Sequence, residues 1–138
     1  MIGAASPKTH SRWEKNAGVT APGFVNNLAA AYAAAALVIV PIHVGGGSNI
    51  KVLEALAHAR PCVVTRLTAS AFNDQLHHGR HFLVADTAPQ FIQSVLQMLQ
   101  SPEAYRTMTE NGFDAVRTQF SAEKFKGEVV SFSQEVLA

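Results

Sequence analysis

Two runs of consecutive apolar residues, Leu37-Val38-Ile39-Val40 and Cys62-Val63-Val64, constrain this chain more than any other feature. A strand with one wet face alternates apolar and polar residues, whereas a strand covered on both faces does not. Between the two runs, Ile50, Val52, Leu53, Leu56 and Ala57 form pairs three or four apart, the mark of a helix that begins near Ser48 and stops at Arg60-Pro61. Strand, helix and strand in that order form a βαβ unit of a parallel sheet. The expected fold is therefore α/β, a Rossmann-like doubly wound parallel sheet.

Further elements extend this frame. Met1–Ala4, Gly18–Ala21 and His81–Ala85 read as additional strands, and Asn27 as the cap of a helix through Leu28, Ala31, Tyr32 and Ala35. The polar stretch Arg66–Arg80 reads as a long surface loop. A helical C-terminal tail follows in three pieces, from Pro89 to Gln100, from Pro102 to about Phe120, and from Ser121 to Leu137. Ser101-Pro102-Glu103 and Ser121-Ala122-Glu123 supply the starts of the last two. The first apolar run stands at residue 1 with no unit before it to pair against. The expectation is an incomplete lobe, residues 1–138 forming part of one domain.

Composition narrows the function classes. A chain of 138 residues that is 48% hydrophobic and 15% charged is too apolar for disorder, and no uninterrupted run is long enough to span a membrane. With 11 basic against 10 acidic residues the net charge of +1 offers no field for a nucleic-acid backbone. Cys62 stands alone within an apolar run, where packing outweighs reactivity and no disulfide framework is available. The N-terminus lacks a signal-peptide pattern, so the cytoplasm is the expected location, with peripheral attachment to the inner face of a membrane open for an intact protein. Six histidines raise a metal reading, densest at His77-His78-Gly79-Arg80-His81. Gly79 and the strand-like run behind it argue against the helix that would bring His77 and His81 to one face. No metal is expected.

Chemistry is concentrated in Pro41-Ile42-His43-Val44-Gly45-Gly46-Gly47-Ser48-Asn49-Ile50-Lys51-Val52-Leu53-Glu54-Ala55-Leu56-Ala57. Ligands of open α/β sheets sit beyond the carboxyl ends of strands, where this loop emerges. Glycines let backbone N–H groups approach a phosphate, and the following helix start, with Ser48 as N-cap, presents unpaired N–H groups and a positive dipole end. A bare three-glycine run also serves as a tight turn, and the residues alone leave both readings open. Ile50 occupies the third glycine of the dinucleotide fingerprint, and no Gly-Lys-Ser/Thr follows, so neither that site nor a P-loop is formed. Glu54, on the helix face of Ile50 and Lys51, can accept ribose hydroxyls or pair with Lys51.

Gly45 to Ala57 followed by Arg60-Pro61-Cys62-Val63-Val64-Thr65 resembles the family 4 retaining glycosyltransferases of the GT-B fold, with the approximate pattern P-x-x-x-G-x-G-x-x-x-K-x-x-E-A-x-A-x-G-x-P-V-V-x-T. Gly18 to Val25 with Asn27-Leu28, Tyr32 to Pro41, His81 to Asp86, Phe91, Asn111-Gly112 and Phe120-Ser121 are similar to other parts of that family, so the resemblance covers nearly the whole chain. It implies the donor-binding C-terminal lobe of a two-lobed enzyme that transfers a sugar from a nucleotide-sugar donor with retention. Glu54 matches the family's ribose-binding glutamate. Gly46 stands where a glutamate otherwise contacts the donor sugar. Gly45, Gly46, Gly47, Ser48 and Asn49 would offer amides to the diphosphate and sugar, and Gly23, Phe24 and Val25 would meet the base through their backbone. Ala59 replaces the usual glycine before Arg60-Pro61.

The resemblance further implies that the basic diphosphate clamp and the acceptor and catalytic groups lie in regions this chain lacks, including an N-terminal lobe. This chain alone is then inactive. No cofactor beyond the nucleotide sugar is implied, and no side-chain nucleophile. The stripe Phe125, Val129, Phe132 and Val136 of the last helix would pack across the other lobe or support self-association. A non-catalytic binding or interaction module of Rossmann-like fold is the competing reading.

Overall fold

The computed structural model describes residues 7–45, 49–72 and 74–121. It contains two compact units, Met1–Ala34 and Ala35–Ala138. The expected strand at Met1–Ala4 and the expected helix from Ser121 to Leu137, with its apolar stripe, lie outside the described residues, apart from Ser121 itself.

In the first unit, α1 (Pro7–Glu14) and α2 (Leu28–Ala34) flank an irregular connection. No element was expected at α1, because Pro7 and Trp13 are its sole apolar residues and no stripe marks it. Its end is closed by Asn16, whose side-chain amide donates to the Arg12 and Trp13 carbonyls at 3.3 and 3.1 Å. The expected strand Gly18–Ala21 does not form. Gly18 takes a left-handed φ of +79° in the turn after α1, and Pro22 has no N–H for a ladder. Asn27 caps α2 as expected, its Oδ1 accepting the Ala30 N–H at 2.9 Å.

The second unit is a parallel three-stranded sheet of β1 (Val38–Val40), β2 (Cys62–Val64) and β3 (Leu83–Val84), in the order β1-β2-β3. Val38 pairs with Cys62, Ile39 with Val63 and Val40 with Val64, and Val63 then pairs with Leu83. Helix α3 (Ile50–Ala57) joins β1 to β2, as the βαβ pattern required. Val63, Leu83 and Ala85 are buried together with Met98 of α5 (Ala88–Gln100) and Met108 of α6 (Pro102–Gln119), with Leu37, Phe91, Val95 and Ala104 packed around them. These two helices are the described part of the helical C-terminal region.

Local chemistry fixes the starts of those helices. Thr87 and Gln90 form a capping box on α5, and Ser101 caps α6 through a 3.4 Å bond from the Ala104 N–H. Helix α6 meets α3 at Gly112, where an added Cβ would lie 2.7 Å from Leu56 Cδ2 and 3.4 Å from the His81 carbonyl. The Tyr105 hydroxyl of α6 donates to the Ala36 carbonyl at 2.6 Å, tying that helix to the start of β1. Among the described residues no helix is long and apolar enough to cross a membrane.

The stretch Arg66–Arg80 departs from the loop expected of it. It opens with helix α4 (Arg66–Ser70), capped by Thr65, and buries Phe72 and Leu76. Its outward polarity concealed two inward anchors, one of which, Phe72, meets the Phe120 ring edge-on at 6.1 Å between centroids. Strand β3 is also shorter than the run His81–Ala85, because single-strand pairing with β2 supports just two residues of it.

Candidate functional site

The expected ligand position lies beyond the carboxyl end of β1. Residues Pro41 to Gly45 leave the strand exposed, and Gly45 takes φ +112°, a conformation that L side chains rarely adopt. No atom lies within 4 Å of a Cβ placed there, so its glycine answers to backbone conformation alone. Gly46, Gly47 and Ser48 lie outside the described residues. The N-cap of α3 is Asn49 rather than Ser48, and the Asn49 side chain makes no capping bond. Its carbonyl accepts the Val52 N–H at 3.0 Å.

Helix α3 turns Val52, Ala55 and Leu56 into the core. The opposite side carries Ile50 and Lys51, both exposed, and the half-buried Glu54 one turn further on. Glu54 therefore stands on the open side of the helix that begins at the glycine loop. The helix ends in a Schellman motif: the Ala59 N–H bonds the Leu56 carbonyl at 3.0 Å and the Arg60 N–H bonds the Ala55 carbonyl at 2.9 Å. Ala59 occupies the left-handed position with φ +53°, where glycine is the unstrained residue.

Gly23, Phe24 and Val25 belong to the first unit. Gly23 has φ +73°, Phe24 is 86% exposed and Val25 is half-buried, so this turn presents an aromatic side chain outward.

Polar groups that sequence reading did not select gather at the ends of β2 and β3. The buried Thr65 hydroxyl donates to the Ile42 carbonyl at 2.5 Å, joining the chain after β2 to the chain after β1. Next to it, the Arg66 N–H donates to Asp86 Oδ1 at 2.8 Å, and Arg66 Nε to Asp86 Oδ2 at 3.3 Å. The Arg66 amide, then its guanidinium, hold the Asp86 carboxyl below the usual carboxylate range against an opposing effect of partial desolvation; the charge of His43 acts in the same direction as Arg66. The signal available in sequence was position: each of these residues lies within two positions of the carboxyl end of a strand.

His77 and His81 do come together, contrary to expectation. The His81 N–H closes an α-turn onto the His77 carbonyl at 3.0 Å across Gly79, whose φ of +77° permits the turn, and the rings stand 5.7 Å apart. The His77 N–H donates to His81 Nδ1 at 2.8 Å, and burial, then Arg80 and His77, hold the His81 imidazole below its ordinary pKa. Among the described residues no three His, Cys, Asp or Glu side chains are arranged to hold a metal ion. Cys62 is fully buried and its thiol is pushed up to about 12 by that burial, which fits the packing role read from its neighbours.

Residues 1–101 match the family model described as glycosyl transferases group 1. The chain belongs to that family. Solved structures of glycosyltransferases share its fold at low sequence identity. HepE from Anabaena, crystallised with UDP and glucose, superposes with a TM-score of 0.80 at 13% identity, over 96% of this chain and 39% of its own. Sucrose-phosphate synthase from Thermosynechococcus elongatus gives 0.79 at 18%, over 99% and 37%. The C-terminal domain of a group 1 glycosyl transferase, LpcC, from Francisella tularensis gives 0.65 at 17%, over 83% and 60%. The fold is thus the parallel α/β arrangement of GT-B glycosyltransferases, and the chain spans about two fifths of the length of the first two proteins. No curated protein matches its sequence.

Proposed function

We propose that this chain supplies the nucleotide-sugar-binding half of a family 4 retaining glycosyltransferase, a partial lobe completed by an N-terminal lobe outside residues 1–138. The observation that carries the reading is the junction after β1. A glycine in a left-handed conformation leaves the strand, a glycine run follows, and α3 begins at Asn49 with Glu54 on its open side. Membership of glycosyl transferases group 1 supports it, as does a fold shared with structures that hold UDP.

In this reading Gly45, Gly46, Gly47, Ser48 and Asn49 hold the diphosphate and sugar by backbone N–H groups, without a broad basic patch. Glu54 accepts the ribose hydroxyls, and Gly23-Phe24-Val25 meets the base. Retaining transfer asks the protein for electrostatic stabilisation of the leaving diphosphate, with acceptor and catalytic groups supplied by the other lobe. The nucleotide sugar is substrate, no other cofactor or metal takes part, and the enzyme works in the cytoplasm. The apolar residues Phe125, Val129, Phe132 and Val136 would meet the other lobe or, without it, a second copy of the chain.

UDP is the nucleotide to try first, since HepE was crystallised with it. Titrated calorimetrically into the chain with a metal chelator present, UDP should bind. Glu54→Ala should cost about 1.5 to 3 kcal/mol, the range for hydrogen bonds to a charged group, or roughly 10- to 150-fold in affinity. Equal affinity for both proteins would remove Glu54 from the site. Hydrolysis or transfer of a UDP-sugar by the 138 residues alone would overturn the assignment of catalysis to a second lobe.

A further inference from the structure

At the carboxyl ends of β2 and β3, one strand along from the glycine loop, lies a surface hollow of about 320 Å³ lined by Arg66, Ala69, Ser70, His78 and Val84. None of these residues has a role in the donor reading above. The directions of three polar groups are nevertheless fixed by their bonds.

His78 Nδ1 accepts the Val84 N–H at 2.9 Å. A ring nitrogen that accepts carries no proton, so the neutral imidazole holds its hydrogen on Nε2 and presents it as a donor away from the strand. Arg66 is anchored through its own N–H and Nε, both on Asp86, and its side chain is 82% exposed. That geometry occupies one edge of the guanidinium and leaves the terminal Nη groups to outside acceptors. The Ser70 hydroxyl gives its proton to the Leu67 carbonyl at 2.8 Å, so its oxygen offers lone pairs. Ala69 and Val84 supply apolar wall.

The geometry points to a second ligand site in this hollow, one that takes the phosphoryl group of a small phosphomonoester on Arg66 Nη and His78 Nε2–H. Ser70 Oγ accepts a hydroxyl of the ligand, and Ala69 and Val84 face its carbon chain. The volume is at the low end for small-molecule sites, which suits a ligand of a few carbons. Asp86 offsets most of the Arg66 charge, so recognition rests on directed hydrogen bonds and affinity is on the order of millimolar. The same oxyanion chemistry would admit free phosphate, and the two sources separate by experiment.

The test is a nitrogen-proton NMR titration of the 138-residue chain with inorganic phosphate, with glycerol 3-phosphate, and with sodium chloride at matched ionic strength. Both phosphates should shift His78 Nε2 and the Val84 amide along saturating curves, and Arg66→Gln should weaken them about tenfold or more while leaving thermal unfolding unchanged. Glycerol 3-phosphate binding more tightly than phosphate marks the monoester as the ligand; equal affinities keep the oxyanion site but remove the organic part of the assignment. Shifts reproduced by chloride, unsaturable shifts, or unchanged affinity in Arg66→Gln would overturn it. UDP binding is a separate axis. Glu54→Ala should leave the phosphate curves intact and Arg66→Gln should leave UDP affinity intact, so either reading can fail while the other stands.

Discussion

Ile39 of β1 and Val63 of β2 are register partners in neighbouring parallel strands, and Leu83 of β3 continues the same row, so all three side chains stand on one face of the sheet. Val63 is fully buried and Leu83 nearly so, beneath Met98 and Met108, whereas Ile39 is 52% exposed. In sequence the two strands are equivalent runs of apolar residues. What separates them is how far α5 and α6 reach. Leu37 packs against the covered cluster and Tyr105 bonds the Ala36 carbonyl, so the cover extends over the start of β1 and stops before Ile39. The uncovered part lies toward the carboxyl end of the strand, the end from which the glycine loop departs. Strand formation is therefore a local property of such a run, and burial is a property of the layer above it.

Thiol chemistry gives the widest contrast between the strands. With its thiol pushed up from 9.0 to about 12, native Cys62 should hold roughly a thousandfold less thiolate at pH 8 than an ordinary cysteine. In an Ile39→Cys variant, peptide-resolved alkylation should label position 39 rapidly and position 62 only on unfolding; comparable rates would break the comparison. Next in size is packing. Met98→Ala should cost about 2 to 5 kcal/mol in urea unfolding, while Ile39→Ala, already half in water, should cost under about 1 kcal/mol. Equal losses would show that β1 is as well covered as β2. The smallest effect sharpens how the chain passes from one strand to the other. Ala59→Gly relieves the left-handed strain at the end of α3, with part of the gain lost to a more flexible unfolded chain, and should stabilise by roughly 0.5 to 1 kcal/mol, read from the same unfolding midpoints. A destabilised variant would refute the strain.

The elements legible in sequence were those whose signals repeat or punctuate. Two apolar runs, the spacing within α3, and serine or proline at helix starts located β1, β2, α3, α5 and α6. Resemblance also marks position 59 as a glycine site, in agreement with its left-handed backbone. Signals of one residue or one turn escaped. Helix α4 depends on the Thr65 cap and a single turn, α1 lacks an apolar stripe, and the His77–His81 turn closes across a glycine that reads as a breaker. For the site, the loop after β1 and the helix carrying Glu54 followed from pattern. The Arg66–Asp86 pair beside the neighbouring hollow did not, because residues 20 apart meet only once β2 and β3 have aligned.

The Thr65 hydroxyl has one proton, and the Ile42 carbonyl takes it, while the same oxygen accepts the Thr68 N–H at 3.2 Å. Residue 42 is thereby pinned, and seven positions later the Asn49 carbonyl is pinned in turn by the Val52 amide. Part of the entropy of placing the chain that leaves β1 is therefore lost when the protein folds, so an occupant beyond the strand need not supply it.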